Sequence, residues 1–368
     1  MRGGTSKGPF FLASDLPDDV ATRDRVLLAA LGSPDPRQID GVGGADPLTS
    51  KVAIVSRSSR PGIDVDYLFA QVSVDKPLVD VTPTCGNMLA GVGPFAIERG
   101  LVAASDPITP VTIYMVNTGT VAVAHVPTPG GEVRYAGETS IAGVPGTAAA
   151  IRIDFRDTAG SVCGALLPTG RELDPIEGID ATLIDNGMPM VVLRAADLGV
   201  SGYESPAELN SNQKLKERLE AIRIAAGERM GLGDVHSKVV PKMTLIAAPQ
   251  SGGHVMTRTF IPHKCHSAIG VLMAVTIGTA CILPESVARG IVNPQSGTVQ
   301  RLSIEHPSGE FSVEFQVEHD GGKLKVVRSS LIRTARALFR GELLVPASVW
   351  AGNRSSAGAD FSPGVQHA

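Results

Sequence analysis

Lys51-Val-Ala-Ile-Val-Ser56 and, far downstream, Lys242-Met-Thr-Leu-Ile-Ala247 are the same short phrase, a lysine opening an apolar, β-branched run. That composition and spacing predict a strand in each place. Around each phrase the neighbouring signals recur in one order. Asp15-Leu16 precedes the first and Asp197-Leu198 the second. Thr82-Pro-Thr-Cys-Gly-Asn87 runs into an apolar, small-residue stretch from Met88 to Val102, and Pro262-His-Lys-Cys-His266 runs into another from Ala268 to Leu283. Both read as buried helices, with Pro94 as a kink in the first. Strands at Val111 to Val116 and Thr120 to Val126 flank the turn Asn117-Thr-Gly119, and strands at Leu302 to Glu305 and Glu310 to Val317 flank His306-Pro-Ser-Gly309. The anchors are offset by 182 (197 − 15), 191 (242 − 51), 180 (265 − 85) and 190 (309 − 119), which predicts two structurally similar halves.

Length fits that reading: 368 residues exceed what one core usually serves. The expected division is a half from 1 to 182 carrying Lys51 and Cys85, a half from 183 to 350 carrying Lys242 and Cys265/His266, and a disordered tail over 351–368. The stretch 212–230 reads as a solvated surface helix, and Leu331 to Phe339 as a helical stretch.

Hydrophobic residues make up 43% and charged residues 19%, so much of the chain can be buried. A net charge of −4 with few aromatics argues against nucleic-acid binding. The longest apolar run, 268–283, falls short of the roughly 20 residues that cross a bilayer, so no membrane role is expected. Four cysteines without a CxxC pair, and no signal peptide, point to a cytoplasmic protein.

A cysteine followed by Gly-Asn where a loop becomes a helix sits where free N–H groups favour anions and activate thiols. Cys85 is therefore a candidate acid, base or nucleophile, against the commoner fate of a small buried hydrophobe. Lys51 either snorkels or serves as a base. With Lys242 and Cys265/His266 in the corresponding places, two lysine and helix-tip sites would face each other across a cleft suited to a small substrate. His263, Cys265 and His266 lack a fourth ligand and paired spacing, so no metal is expected. Gly41-Val-Gly-Gly44 precedes a strand and lacks a nucleotide-loop context. Gly4-Thr-Ser-Lys-Gly8 matches the hydrolase elbow pattern without a strand before it.

Met1-Arg-Gly-Gly-Thr-Ser-Lys-Gly8, Gly43-Gly-Ala-Asp-Pro-Leu-Thr-Ser-Lys-Val-Ala53, Cys85-Gly-Asn-Met-Leu-Ala-Gly-Val-Gly-Pro94 and His306-Pro-Ser-Gly309 together resemble the PrpF family, to about Trp350. That family holds aconitate isomerase, methylitaconate isomerase and 4-oxalomesaconate tautomerase or isomerase. Asp185-Asn-Gly-Met-Pro-Met190 and Arg258-Thr-Phe-Ile-Pro-His263 look nearer the oxalomesaconate branch. The resemblance implies the diaminopimelate epimerase fold, α/β (α+β), with two pseudo-symmetric domains, each a curved sheet wrapped around a central helix. It implies Lys51 and Cys85 as the catalytic pair and a small di- or tricarboxylate substrate, with no cofactor. A homodimer is among the expected arrangements. Family members usually carry a short strand before the Arg-Gly-Gly-Thr-Ser motif, so the placement of Arg2 is open.

Isomerisation of such a substrate moves one proton along a keto-enol or allylic system. The developing enolate and the carboxylates want fixed donors. Those expected are Arg2, Gly3, Gly4, Thr5 and Ser6; Gly86, Asn87 and Met88; Asn117 and Thr118; Asn186; Lys242; His266 and Ser267 at the second helix tip; and His306 and Ser308. Arg336, with Arg333, would add a carboxylate clamp. The rivals are a methylitaconate or aconitate isomerase, a two-cysteine racemase or epimerase pairing Cys85 with Cys265, and a non-catalytic carboxylate-binding protein.

Overall fold

The computed structural model describes residues 1–156, 158–293, 296–320 and 323–352, so the tail expected to be disordered lies, beyond Gly352, outside the described residues. The chain opens with a tight hairpin, β1 (Arg2–Gly3) and β2 (Ser6–Lys7). It continues through β3 (Phe10–Leu12), α1 (Val20–Leu31), β4 (Lys51–Arg57), β5 (Val65–Val72), β6 (Val79–Asp80), α2 (Gly86–Glu98), β7 (Ile108–Met115), β8 (Thr120–Pro127) and β9 (Ile151–Phe155). There follow β10 (Asp174–Ile176), β11 (Ile179–Asp185), β12 (Pro189–Arg194), α3 (Pro206–Ser211), α4 (Gln213–Arg229), β13 (Lys242–Ala247), β14 (Val255–Phe260), α5 (Val271–Ile282), β15 (Val299–His306), β16 (Gly309–Asp320), β17 (Lys323–Arg333) and β18 (Ala335–Arg336).

One long sheet runs β10-β11-β12-β13-β14-β15-β16-β17-β9-β8-β7-β5-β4-β3, with β6 on the edge of β5. Outward from the β17–β9 seam the pairings repeat on both sides. β16 and β8 come first, both antiparallel; β15 and β7 next, also antiparallel; then β14 and β5, parallel; β13 and β4, antiparallel; and β12 and β3, parallel. Each half wraps a helix, α2 against β4, β5, β7 and β8, and α5 against β11, β12, β15, β16 and β17. This is the two-lobed diaminopimelate epimerase-like α/β architecture.

Period-two patterning builds it. On β4, Ala53 and Val55 face α2 while Val52 and Ile54 face α1. On β13, Ile246 faces the α5 core while Met243 and Leu245 face α4. Strands buried on both faces read as unbroken apolar runs, which is why the two opening phrases look alike. In α2 every residue from Met88 to Ala96 is buried, including Pro94, and in α5 every residue from Met273 to Cys281.

Four expectations are corrected. The helix over 212–230 is not merely a solvated face: Leu215, Leu219, Ile222 and Ala226 bury against the sheet, and a wholly buried Arg223 is held by Glu220. The stretch 331–339 is not helical, because Leu331 to Arg333 end β17 and Arg336 lies in β18, which pairs with β1. The second helix starts at Val271, not Ala268, with Gly270 as its cap. The division expected at 182/183 cuts β11, whose partner is β12; strand pairing moves the crossover to the segment between Phe155 and Asp174.

Candidate active site

The helix tips α2 and α5 meet. A Cβ on Gly86 would stand 2.0 Å from a Val271 methyl, so only a glycine lets the two N-termini approach this closely. Cys85 caps α2 and Gly270 caps α5, and neither helix is capped by a side chain. The free N–H groups and partial positive charge of both tips are thus directed at one place, a ready anion site.

The N-terminal hairpin closes over the first tip. A Cβ on Gly3 would lie 2.4 Å from the Asn87 carbonyl oxygen, and Gly4 adopts φ +52° above the Asn87 side chain. Asn87 Nδ2 donates to Thr5 Oγ1 at 2.9 Å. Ser6 shares the face of Gly3, its cross-strand partner, and so also looks toward this tip. The Ser6 hydroxyl and the Asn87 Oδ1 are buried without a hydrogen-bond partner among the described residues, an unmet demand of the kind that marks a ligand site.

Lys51 stands at the start of β4, on the α2 face. Its Nζ donates to Gln71 Oε1 at 2.5 Å and lies 5.2 Å from the Phe69 ring centroid. Gln71, its cross-strand partner, is itself anchored to the carbonyls of Pro47 and Ser50. The lysine is therefore held in one pose beside the aromatic ring rather than snorkelling freely. Cys85 is half-buried at the edge of the same core, and its carbonyl accepts from the Tyr67 hydroxyl at 3.3 Å.

The second half presents cations. Lys242 is 7% exposed, and burial lowers its pKa. His266 titrates below the usual histidine range because of burial and then the charges of Lys242 and Lys264. His306 is pushed down to about 4, first by burial and then by Arg333. Ser308 Oγ donates to the Ser267 carbonyl at 2.6 Å, tying the 306–309 turn to the approach to α5. No ion pair joins Lys51, Lys242, His306 or Arg333 to a carboxylate among the described residues.

Several expected donors do other work. Asn117 spends its amide on the Phe69 backbone and the Val81 carbonyl, so it braces β5. Thr118 is exposed and bonds Thr120. Asn186 is a buried hub between Thr158, Thr279 and Ser329. The Met88 side chain lies wholly in the core, leaving only its N–H at the tip. His266 and Ser267 precede the α5 tip rather than forming it. Arg2 turns its guanidinium to the carbonyls of Gly4 and Thr334, and with the exposed Arg336 it lines a cavity of about 290 Å³ that Thr5 and Ser6 also line, under the 139–148 loop. Cys265 packs in the α4 cluster with its thiol pushed up to about 11 by burial, and the place of Cys85 on the second helix belongs to Gly270. This placement argues against a thiol pair across the helix tips; His263 lies 3.4 Å from Glu220.

Residues 1–346 match the PrpF protein family. The chain belongs to the PrpF family. Among its PrpF relatives, the (4E)-oxalomesaconate Delta-isomerase of Novosphingobium sp. (strain KA1) is 60% identical, over 94% of this chain and 96% of that protein. The 4-oxalomesaconate tautomerase of Pseudomonas putida is 59% identical, over 96% of both. The crystal structure of methylitaconate-delta-isomerase superposes with a TM-score of 0.79 at 34% identity, covering 98% of this chain and 96% of that one. Isomerase is the enzyme class this PrpF chain shares with them. Among the described residues no helix is long and apolar enough to cross a membrane.

Proposed function

We propose that this PrpF isomerase moves one proton on 4-oxalomesaconate or a close unsaturated tricarboxylate, with Lys51 as the base and Cys85 as the acid or hydrogen-bond donor. The observation that carries the reading is the meeting of two helix N-termini without side-chain caps, one of them begun by the half-buried Cys85, with no ion-paired carboxylate on Lys51 or Lys242 among the described residues. Such a pocket suits a polyanion whose charge spreads onto an enolate as the proton leaves. Substrate and product have the same composition, so the step calls for a proton acceptor, a proton donor and fixed dipoles.

In this scheme the substrate carboxylates lie on the N–H groups of Gly86, Asn87 and the α5 tip. Lys51 takes the proton from the activated carbon. The Cys85 thiol faces the developing negative charge and returns a proton at the far end of the conjugated system. The relatives named for oxalomesaconate support the substrate assignment over methylitaconate or aconitate. Ultraviolet assay of the purified protein against oxalomesaconate, methylitaconate and aconitate isomers tests it: turnover is expected with the first, and faster turnover of either other substrate overturns it. Proton NMR in D2O identifies the carbon that acquires deuterium and so separates keto-enol from allylic shift. The homodimer expectation is read from the solution mass.

A further inference from the structure

We infer that Arg333, stacked on Phe311 and adjoining His306, is a substrate-binding residue that takes a carboxylate remote from the carbon served by Lys51 and Cys85. The inference rests on the proposed polycarboxylate function and names the group that reads the additional carboxylate.

Arg333 ends β17 on the inner face, two residues beyond the core residue Leu331, and is 4% exposed. Its guanidinium carbon lies 3.8 Å from the centroid of Phe311, whose ring is 5.7 Å from that of His306. Among the described residues only Nη1 has a hydrogen-bond partner, the carbonyl of Ile332, while Nε is buried with none. The neighbouring acid, Glu310, accepts from Ser303 and makes no direct ion pair with Arg333 among the described residues, although its charge partly offsets the cost of burying the guanidinium. A buried cation lacking a counter-ion is costly to a fold unless a ligand supplies the anion. The strain registers in both groups: burial brings Arg333 down to about 10, and its charge helps hold His306 neutral. In neutral His306, Nδ1 accepts from the Ser308 N–H at 3.3 Å, and a hydrogen bond with the Ser267 backbone also holds the ring.

The other half argues that the arginine is not structural. Met115 ends β7 as His306 ends β15, and Ala122 is third in β8 as Phe311 is third in β16. Ala122 pairs with Phe155, and the β16–β17 register, which begins at Val313 and Leu331, would if continued put Phe311 opposite Arg333. At the same three places the first half is filled by apolar side chains, so the fold does not require a cation here. The position is also close to the site. The next residue, Thr334, accepts from the Gly4 N–H, and the turn after His306 is tied to Ser267. A planar guanidinium fixed on an aromatic face offers its remaining donors as a fork, which suits a carboxylate edge.

The test uses the purified full chain and inert probes, so that it does not depend on turnover. Tricarballylate and glutarate binding are measured by calorimetry for wild type, Arg333→Gln and Arg333→Lys, with circular dichroism to verify folding. Arg333→Gln is expected to weaken tricarballylate about ten- to hundredfold, the loss of a charge-assisted hydrogen bond, and to change glutarate less than about threefold. Arg333→Lys should recover part of the loss, and it carries the test if the glutamine variant fails to fold. Equal losses for both probes, no loss, or no tricarballylate binding by wild type overturns the inference. If tricarballylate binding depends on Arg333 but oxalomesaconate is not turned over, the function proposal fails and this inference stands; if turnover is present and Arg333→Gln leaves KM unchanged, the inference alone fails.

Discussion

Lys51 and Lys242 open equivalent strands, yet their surroundings differ. Lys51 is met by Gln71 across the ladder, while the β13–β14 register would put Ile261 opposite Lys242. Cys85 caps one helix and Gly270 the other. At the far strand ends, Met115 and Phe155 in the first half answer to His306 and Arg333 in the second. Duplication has kept the backbone, where the helix tips must meet, and let the side chains divide the labour. The first half carries groups that can move protons, and the second carries charge.

The comparison breaks most readily at the lysines. Lys51→Met should lower kcat by about 100-fold or more with the fold intact, the usual range for a lost general base, whereas Lys242→Met should act mainly on KM. Steady-state kinetics of the two variants decide it, and equal kcat losses would erase the division of labour.

Next in size is acid sensitivity. A histidine at about 6.5 unfolded and about 4 folded leaves the unfolded chain binding more protons between those values. Its contribution is present above pH 6.5 and lost as pH falls through 4, up to about 3 kcal/mol. Urea unfolding at pH 7 and pH 4 should show a smaller drop for His306→Met, which carries the first half's residue, than for wild type.

The helix tips supply a third contrast. Gly86→Ala drives a methyl into Val271 and should cost about 1–3 kcal/mol together with activity. Gly270→Ala meets only the flexible end of Met273 at 2.9 Å and should cost less than about 1 kcal/mol. Thermal melts of both variants measure the difference.

The smallest effect separates the cysteines. Dicarboxylate should protect Cys85 from alkylation, while Cys265, 3% exposed, should label slowly with or without ligand. Equal Cys85 labelling in both conditions would remove it from the site.

The repeat was legible because double-sided burial forces the same apolar runs at both lysines. Where like residues tempted the eye, sequence misled. Cys265 resembles Cys85, but His266 to Ile269 separate it from the Gly270 cap, so the true counterpart is a glycine without a chemical signature. Arg333 and Arg336 are spaced by three, as on a helix face, whereas β17 alternates Leu331 and Arg333 inward. Two signals were present and went unused. Leu215, Leu219, Ile222 and Ala226 trace a helical stripe through the charges of α4. Asp19 capping Thr22 and Gly32 in the left-handed region bracket α1. Asn117 and Asn186 could not be sorted from sequence, since a bracing amide and a ligand-binding amide are the same residue until its partners are known.

The seam between β9 and β17 has a mechanical consequence. Five residue pairs, Ile151 to Phe155 against Ser329 to Arg333, knit the two halves into one continuous plate. Any motion of one half against the other must therefore bend or twist a hydrogen-bonded ladder rather than a slack linker. The 139–148 loop touches both sides of that seam, with Gly143 beside Thr5 and Ala142 beside Gly309.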